Sequence, residues 1–441
     1  MFKTLRNAFK VKDIRTKLIY TFIALLVVRL GTLLPAPAIS RDVTDAWFNN
    51  QNLGFFNSLT GGSLTRMSIF ALSISPYITA SIIVQLLTIA IPKLEELQKE
   101  GEDGRKKMNE ITRYLTVGLA VVESAAMAIG FGTQGALKGG LTFTNVILIV
   151  ASFTAGSAFL MWLGERITQN GVGNGISIIL LVNIVSTMPN DFINLFQKFV
   201  IGQSFVRAAG SAILIFAVVL VTIVFVLVLQ DGQRRIPVQY AKKVQGRKMV
   251  GGQTSHIPLK VNTAGVIPVI FAGSLLSFPG VISSFFGVYP ARAYFWPKVL
   301  KVLSQQEWLK ITQGWGEFKY SLGLLIYIGL IFFFAYFYTS ITFNPIEVAN
   351  NMKKNGGFIP GIRPGKPTSE YLTKVLNNII FIGAIGLSIV SIIPIFFSGA
   401  FGANVTFGGT SIIIVVGVII ETIKQIESQL LVRHYKGFLN D

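Results

Sequence analysis

The sequence predicts an all-α polytopic membrane protein with ten transmembrane helices in two inverted five-helix halves. Three observations carry this. Hydrophobic residues make up 51% of the chain and charged residues 13%, about half the charged share of an average soluble domain. Mean hydropathy is +0.60. The apolar residues also gather into runs of about 20, the length a helix needs to cross roughly 30 Å of hydrocarbon. Backbone facing lipid must satisfy its own hydrogen bonds, so each run is read as helix.

The runs are 18–34, 73–91, 112–131, 144–163, 175–189, 209–229, 262–280, 320–341, 375–395 and 408–426. Before the first lie Lys3, Arg6, Lys10, Lys12, Arg15 and Lys17, with Phe2, Leu5 and Phe9 near one helical face. That pattern suits an amphipathic helix on an anionic inner surface, with an unstructured tail as the alternative. The basic start, the apolar run and Ala36-Pro37-Ala38 also resemble a cleavable leader. The length of the run, Arg29 inside it and nine further runs favour a retained span. Residues 55–70, FFNSLTGGSLTRMSIF, are too short and too polar to cross and are broken by Gly61-Gly62. They read as a re-entrant segment shielded by protein, or else as an outer-surface loop.

The second run is interrupted by Ser75, Pro76, Thr79, Ser81 and Gln85, which give it a polar side among isoleucines. The third contains Glu123. Asn170–Gly175, NGVGNG, leads into the fifth run; without a following Lys it is weak as a phosphate loop and reads as a flexible lead-in. The second run of each half contains a proline, Pro76 and Pro268, and interrupted helices in corresponding positions point to the working interface of inverted-repeat proteins. Proline is also common in membrane helices generally.

Charge sets the orientation. Of the 39 Lys and Arg, 28 fall in segments that are cytoplasmic if the N-terminus is inside, 10 fall outside, and Arg29 lies in the first span. This is the positive-inside pattern, with both termini cytoplasmic. The outer loop 281–319 carries five of the ten, and the rule discounts long loops. Five runs per half divide the chain into 1–190 and 207–441, and an odd number inverts the second half. Two inner loops stand apart: 230–261, with Arg234, Arg235, Lys242, Lys243, Arg247 and Lys248, and 342–372, with Lys353, Lys354, Arg363 and Lys366. Their Gly and Pro predict shaped turns. Their charge is either ordinary positive-inside bias or a docking surface for an acidic or RNA-containing partner.

The chain has no Cys and two His, His256 and His434, both in polar stretches. Disulfides, thiol catalysis and Cys-based metal sites are excluded, and an enzyme is not predicted. Glu165 and Glu421 sit near inner ends of runs. A proton- or sodium-coupled solute transporter is the rival reading, resting on Glu123, since intramembrane charge is functional by default. Arg29, close to the outer end of its run, could instead snorkel to the interface.

Six stretches then carry a resemblance: residues 57–89, GVGNGISIIL (171–180), QRRIPVQYAKK (233–243), IPLKVNTAGVIPVIFA (257–272), IPGIRPGKPT (359–368) and FGGTSIIIVVGV (407–418). In this order they closely resemble the SecY family, the central channel subunit of the bacterial Sec protein translocase. The resemblance implies an hourglass pore whose waist is an apolar ring, here Ile74, Ile78, Ile176, Leu180, Ile270 and Ile414. Leu180 stands where the family often has isoleucine. The spacing gives partial independent support, because Ile74/Ile78 and Ile176/Leu180 are i,i+4 pairs on one helix face.

The resemblance further implies that 55–70 is a plug helix, carrying Asn57, Gly61, Gly62, Ser63, Thr65 and Arg66. The second and seventh spans would form a lateral gate, lined by Ser75, Thr79, Ser81, Gln85, Asn262 and Thr263. Arg234, Arg235, Lys242, Arg247, Lys248 and Arg363 would dock the ribosome or the SecA motor ATPase, with RNA met only through the ribosome. SecE and SecG, sometimes an insertase, signal sequences, nascent polypeptides and membrane lipid are the other implied partners. The implied location is the bacterial plasma membrane, with no cofactor and with energy supplied by a partner.

Overall fold

The computed structural model describes residues 6, 8–40, 59–133, 135–199, 201, 205–240, 243–245, 248–250, 254–285, 295, 299, 303, 322–401 and 409–437. Its helices in chain order are α1 (Lys12–Gly31), α2 (Ser75–Ala90), α3 (Pro92–Lys99), α4 (Glu102–Thr133), α5 (Phe143–Asn170), α6 (Gly175–Phe199), α7 (Phe205–Asp231), α8 (Ile267–Phe285), α9 (Leu322–Thr342), α10 (Pro345–Lys354), α11 (Lys366–Phe401) and α12 (Gly409–Gly437). Each of the ten apolar runs falls on one of these. Six helical stretches are long and apolar enough to cross a membrane alone, and α2 with α3, which meet at 104°, make a seventh. The protein is therefore a multi-pass membrane protein. Length and apolarity do not by themselves fix ten crossings: α1 carries Lys12, Asp13, Arg15, Lys17 and Arg29 among its twenty residues.

Pro76 and Pro268 do not interrupt their helices. Pro76 lies at the start of α2 and Pro268 is the second residue of α8, where a missing N–H breaks no intrahelical bond. Only residue 6 and residues 8–40 of the N-terminal segment are described. Ala8 there packs with Ile14, Val172 and Ile426, with Leu430 against them, so this end is tied to α12, while Phe9 is exposed. Phe2 and Leu5 lie outside the described residues, as does most of the outer loop 281–319.

A small sheet adds to the helices. Strands β1 (Gln233–Tyr240), β2 (Lys243–Gln245), β3 (Lys248–Val250), β4 (Thr254–Lys260) and β5 (Gly357–Phe358) all come from the two long basic loops. The order β4-β1-β5 is antiparallel, with Ile236 opposite Ile257 and Gln239 opposite Phe358. The two loops therefore build one platform. Its own core joins Ile236, Val238 and Leu259 to Ala349 and Met352 of α10 and to Leu372 at the base of α11. Helix α10 is well capped: Asn344 Oδ1 accepts from the Ile346 and Glu347 N–H groups, Pro345 follows, and Lys353 and Lys354 close the last turn.

Small residues set the close helix contacts, as expected where lipid gives no hydrophobic drive to pack. A Cβ on Gly175 would lie 2.0 Å from the Gly164 carbonyl oxygen, and one on Gly164 would lie 2.5 Å from Ile176 Cδ1. The largest apolar cluster runs through α1, α2, α5, α6, α7, α8, α9, α11 and α12.

Candidate functional site

Four helices bring the six ring residues together. Ile74 caps α2 and Ile78 lies in its first turn; Ile176 and Leu180 open α6; Ile270 opens α8; Ile414 is in the first two turns of α12. All six belong to the one large apolar cluster, with Ile74, Leu180, Ile270 and Ile414 buried and Ile78 and Ile176 partly so. Each of these side chains thus sits at or near a helix N-terminus, and the turns before α2, α6 and α8 set the position of those on them. The Gly171–Gly175 turn is not the flexible lead-in its composition suggested. Thr168 Oγ1 accepts from the Gly175 N–H at 2.8 Å, Asn174 Oδ1 accepts from the Ile176 N–H at 3.1 Å, and Thr21 Oγ1 of α1 accepts from the Val172 N–H at 3.2 Å. These bonds fix where α6 begins and hence where Ile176 and Leu180 point.

Leu59 is helical, residues 60–74 form consecutive turns apart from a bridge at Ser68, and the stretch is packed largely inside the protein. Residues 55–58, Asn57 among them, lie outside the described residues. Leu59, Thr60, Ser63, Met67 and Ser68 are all buried. Gly61 and Gly62 have φ of 67° and 79°, a left-handed backbone that glycine adopts without steric cost. Ser63 Oγ lies 2.7 Å from the Thr60 carbonyl and 2.8 Å from that of Phe70, closing the segment on itself. Its far limb is held by backbone bonds from the Ala36 N–H to Met67 O (2.8 Å) and the Ile69 N–H to Leu34 O (3.0 Å). Thr65 is partly exposed and Arg66 exposed. The segment is thus re-entrant in packing, which favours that expectation over a surface loop.

The expected gate residues lie on α2 and just before α8. Ser75, Thr79, Ser81 and Gln85 are partly exposed on α2, and Thr79 Oγ1 donates to its own helix at Ser75 O. Asn262 is buried beside α11, its Cα 3.8 Å from where a Cβ on Gly383 would lie, and its Nδ2 has no acceptor. Thr263 is partly exposed and bonds the Lys260 carbonyl. Helix α8 packs mainly on α9 and meets α4, whereas α2 packs mainly on α4.

Of the docking residues, Arg234 and Arg235 stand exposed on β1, opposite Leu259 and Pro258, and Arg363 is exposed on the second loop. The side chain of Lys248, on β3, is not described, and Lys242 and Arg247 fall outside the described residues. Around Arg363 the Thr368 hydroxyl donates to its carbonyl at 2.8 Å, shaping the turn that enters α11.

Three features escaped sequence reasoning. Arg29 does not snorkel: its Nη1 donates to the Gly61 carbonyl at 3.3 Å. Asn183 Nδ2 donates to Leu59 O at 3.2 Å and to Ser73 Oγ at 3.1 Å. Arg113 of α4 forms a two-bonded pair with Glu165 of α5, with both contacts at 2.7 Å. A lone Asn in an apolar run was the one visible hint of the second. Glu123, on α4, makes no ion pair among the described residues, and no cluster able to hold a metal is found among them.

The six side chains lie in one apolar cluster and offer no directional chemistry. Comparison with known proteins agrees in kind. A SecY family model matches residues 68–423. The chain is 44% identical to the "Protein translocase subunit SecY" of Streptomyces coelicolor and 42% identical to that of Bacillus subtilis, each alignment spanning 100% of both chains. In fold it is similar to "The structure of a protein conducting channel" (TM-score 0.66, 19% identity, 94% of this chain and 92% of that one). It is similar also to "Sec61 in the Canine ribosome-channel complex from the endoplasmic reticulum" (TM-score 0.61, 18% identity, 94% and 92%). Taken with the ordered motifs and the converging apolar side chains, these similarities show that the chain belongs to the SecY family.

Proposed function

We propose that this chain is a protein-conducting channel that passes unfolded secretory polypeptides across the bacterial plasma membrane and releases apolar spans sideways into lipid. One observation carries it: six apolar side chains from α2, α6, α8 and α12, far apart in sequence, meet in a single cluster beside a buried re-entrant segment. A translocating polypeptide exposes polar backbone and needs a wet path, yet ions must not leak. An apolar waist closed by a displaceable segment meets both demands. The names of the full-length relatives support the same reading.

In this reading the chain makes ten crossings in two inverted halves, 1–190 and 207–441, with both termini cytoplasmic. The lateral seam lies between α2 and α8. The platform of β1, β4, β5 and α10 faces the cytoplasm and docks a ribosome or the SecA motor through Arg234, Arg235 and Arg363, with Lys242, Arg247 and Lys248 on the same loop. SecE and SecG cover apolar surface that the chain leaves open, as on α7, whose spanning part is only 17% buried. The test is translocation in vesicles holding the purified complex, with a motor ATPase and an unfolded precursor. Precursor reaching a protease-protected state in proportion to ATP supports the channel. A complex with intact partners that moves none, and instead takes up a small solute, rejects it.

A further inference from the structure

Asn183 touches the re-entrant segment twice. Its Nδ2 reaches the Leu59 carbonyl at 3.2 Å and the Ser73 hydroxyl at 3.1 Å, so one side chain on α6 holds both ends of the segment. It is 1% exposed, and its Oδ1 has no donor among the described residues. Beside it Arg29 of α1 donates to the Gly61 carbonyl at 3.3 Å. A Cβ on Gly61 would lie 2.9 Å from Asn183 Oδ1 and 3.0 Å from Arg29 Nη1. Glycine at φ 67° therefore lets the segment's backbone seat against both side chains at once.

We infer that Asn183 and Arg29 are positioning residues that clasp the tip of the re-entrant segment, residues 59–61, against the apolar constriction. Three features make this a releasable hold rather than ordinary core packing. The acceptors include two main-chain carbonyls, so the hold does not depend on side chains at the tip. Ser63 closes the segment on itself, and the far limb is fastened separately to residues 34–36, so the tip can leave as a unit. Asn183 lies one helical turn from Leu180 of the ring. Once the tip departs, its carboxamide faces a path that must be wet, where water replaces the lost partners.

The inference rests on the channel reading for its purpose but not for its test. The chain has no cysteine, so Leu59→Cys, at a buried tip position, gives a single labelling site. The probe is a membrane-impermeant maleimide on the reconstituted full complex, with all variants checked for matching melting temperature. In that background Asn183→Ala and, separately, Arg29→Leu should speed labelling about tenfold. Ser73→Ala, which removes one arm, should give a smaller rise, and Arg29→Lys a smaller rise than Arg29→Leu. Ser186→Ala is the control, because that hydroxyl bonds only the Asn183 carbonyl within α6; it should leave the rate unchanged. Unchanged labelling in both Asn183→Ala and Arg29→Leu, or an equal rise in Ser186→Ala, overturns the clasp. Translocation of an intact precursor by the parent complex is measured alongside. Its failure would count against the channel reading while the labelling rates still decide the clasp.

Discussion

At the scale of single residues, the constriction depends on side chains that have shape but no polarity. Ile78 and Ile270 reach it from different halves of the chain and share its apolar cluster. Replacing both by Asn puts hydrogen-bonding groups where a dewetted seal needs none. Ile78→Asn with Ile270→Asn should raise export of a precursor with a defective signal sequence by about tenfold, a shift of ~1.4 kcal/mol toward the open state. Tight closure with unchanged selectivity in that assay would remove these residues from the ring. The i,i+4 pairs put Ile74 with Ile78 and Ile176 with Leu180 on shared helix faces from spacing alone, whereas Ile270 and Ile414 were named only through the family motifs. Asn183 was not legible in role, because its partners Leu59 and Ser73 are over a hundred positions away and no local pattern announces such a bond. Asn262, placed at the seam by the family resemblance alone, is buried beside α11.

At the scale of elements, turns do as much positioning as helices. Gly175 sits so close to the Gly164 carbonyl that a methyl group cannot enter without moving α6. Gly175→Ala should destabilise the bundle by about 3 kcal/mol, at the upper end of overpacking costs, read as a lowered melting temperature and poor recovery of the complex. The same change at Gly118, where nothing lies within 4 Å, should be silent. Ten of the twelve helices were legible because their apolar runs are long; the short polar α3 and α10 were not. The sheet was not, although Ile236 and Val238 alternate with exposed neighbours along β1. Pro237 and flanking charge masked that period, and β1 pairs with β5 only through Gln239 and Tyr240, so proline costs no bond to β5. The platform gives a second prediction at this scale. Arg235→Glu with Arg363→Glu should weaken ribosome or motor binding about tenfold and flatten its salt dependence, while Leu59→Cys labelling stays at the parental rate. Unaltered binding would return these arginines to ordinary inner-surface charge.

At the scale of the whole molecule, one large apolar cluster joins most of the helices, with residues of the 59–74 stretch packed into it and a basic platform built from both long loops. The class of protein was legible from composition alone. The number of crossings was less secure: α1 carries five charges, α2 reaches crossing length only with α3 across a 104° break, and among the described residues α8 and α12 are not long and apolar enough to cross alone. The seam between α2 and α8 is the part that tertiary packing alone decides, and here α4 lies against both helices. If the seam opens to lipid, the partly exposed Thr79 and Gln85 should crosslink to a signal sequence, and the buried Asn262 should not do so until the channel is engaged.

The most direct measurement of the central claim is a photo-crosslink in cells. A photoreactive residue is placed at Ile270 and, separately, at the exposed Leu325 of α9, with an arrested secretory chain expressed alongside. The account predicts an adduct with the secretory chain at 270 and none at 325. Absence of an adduct at 270 while the complex is intact, or equal labelling at both positions, would contradict it.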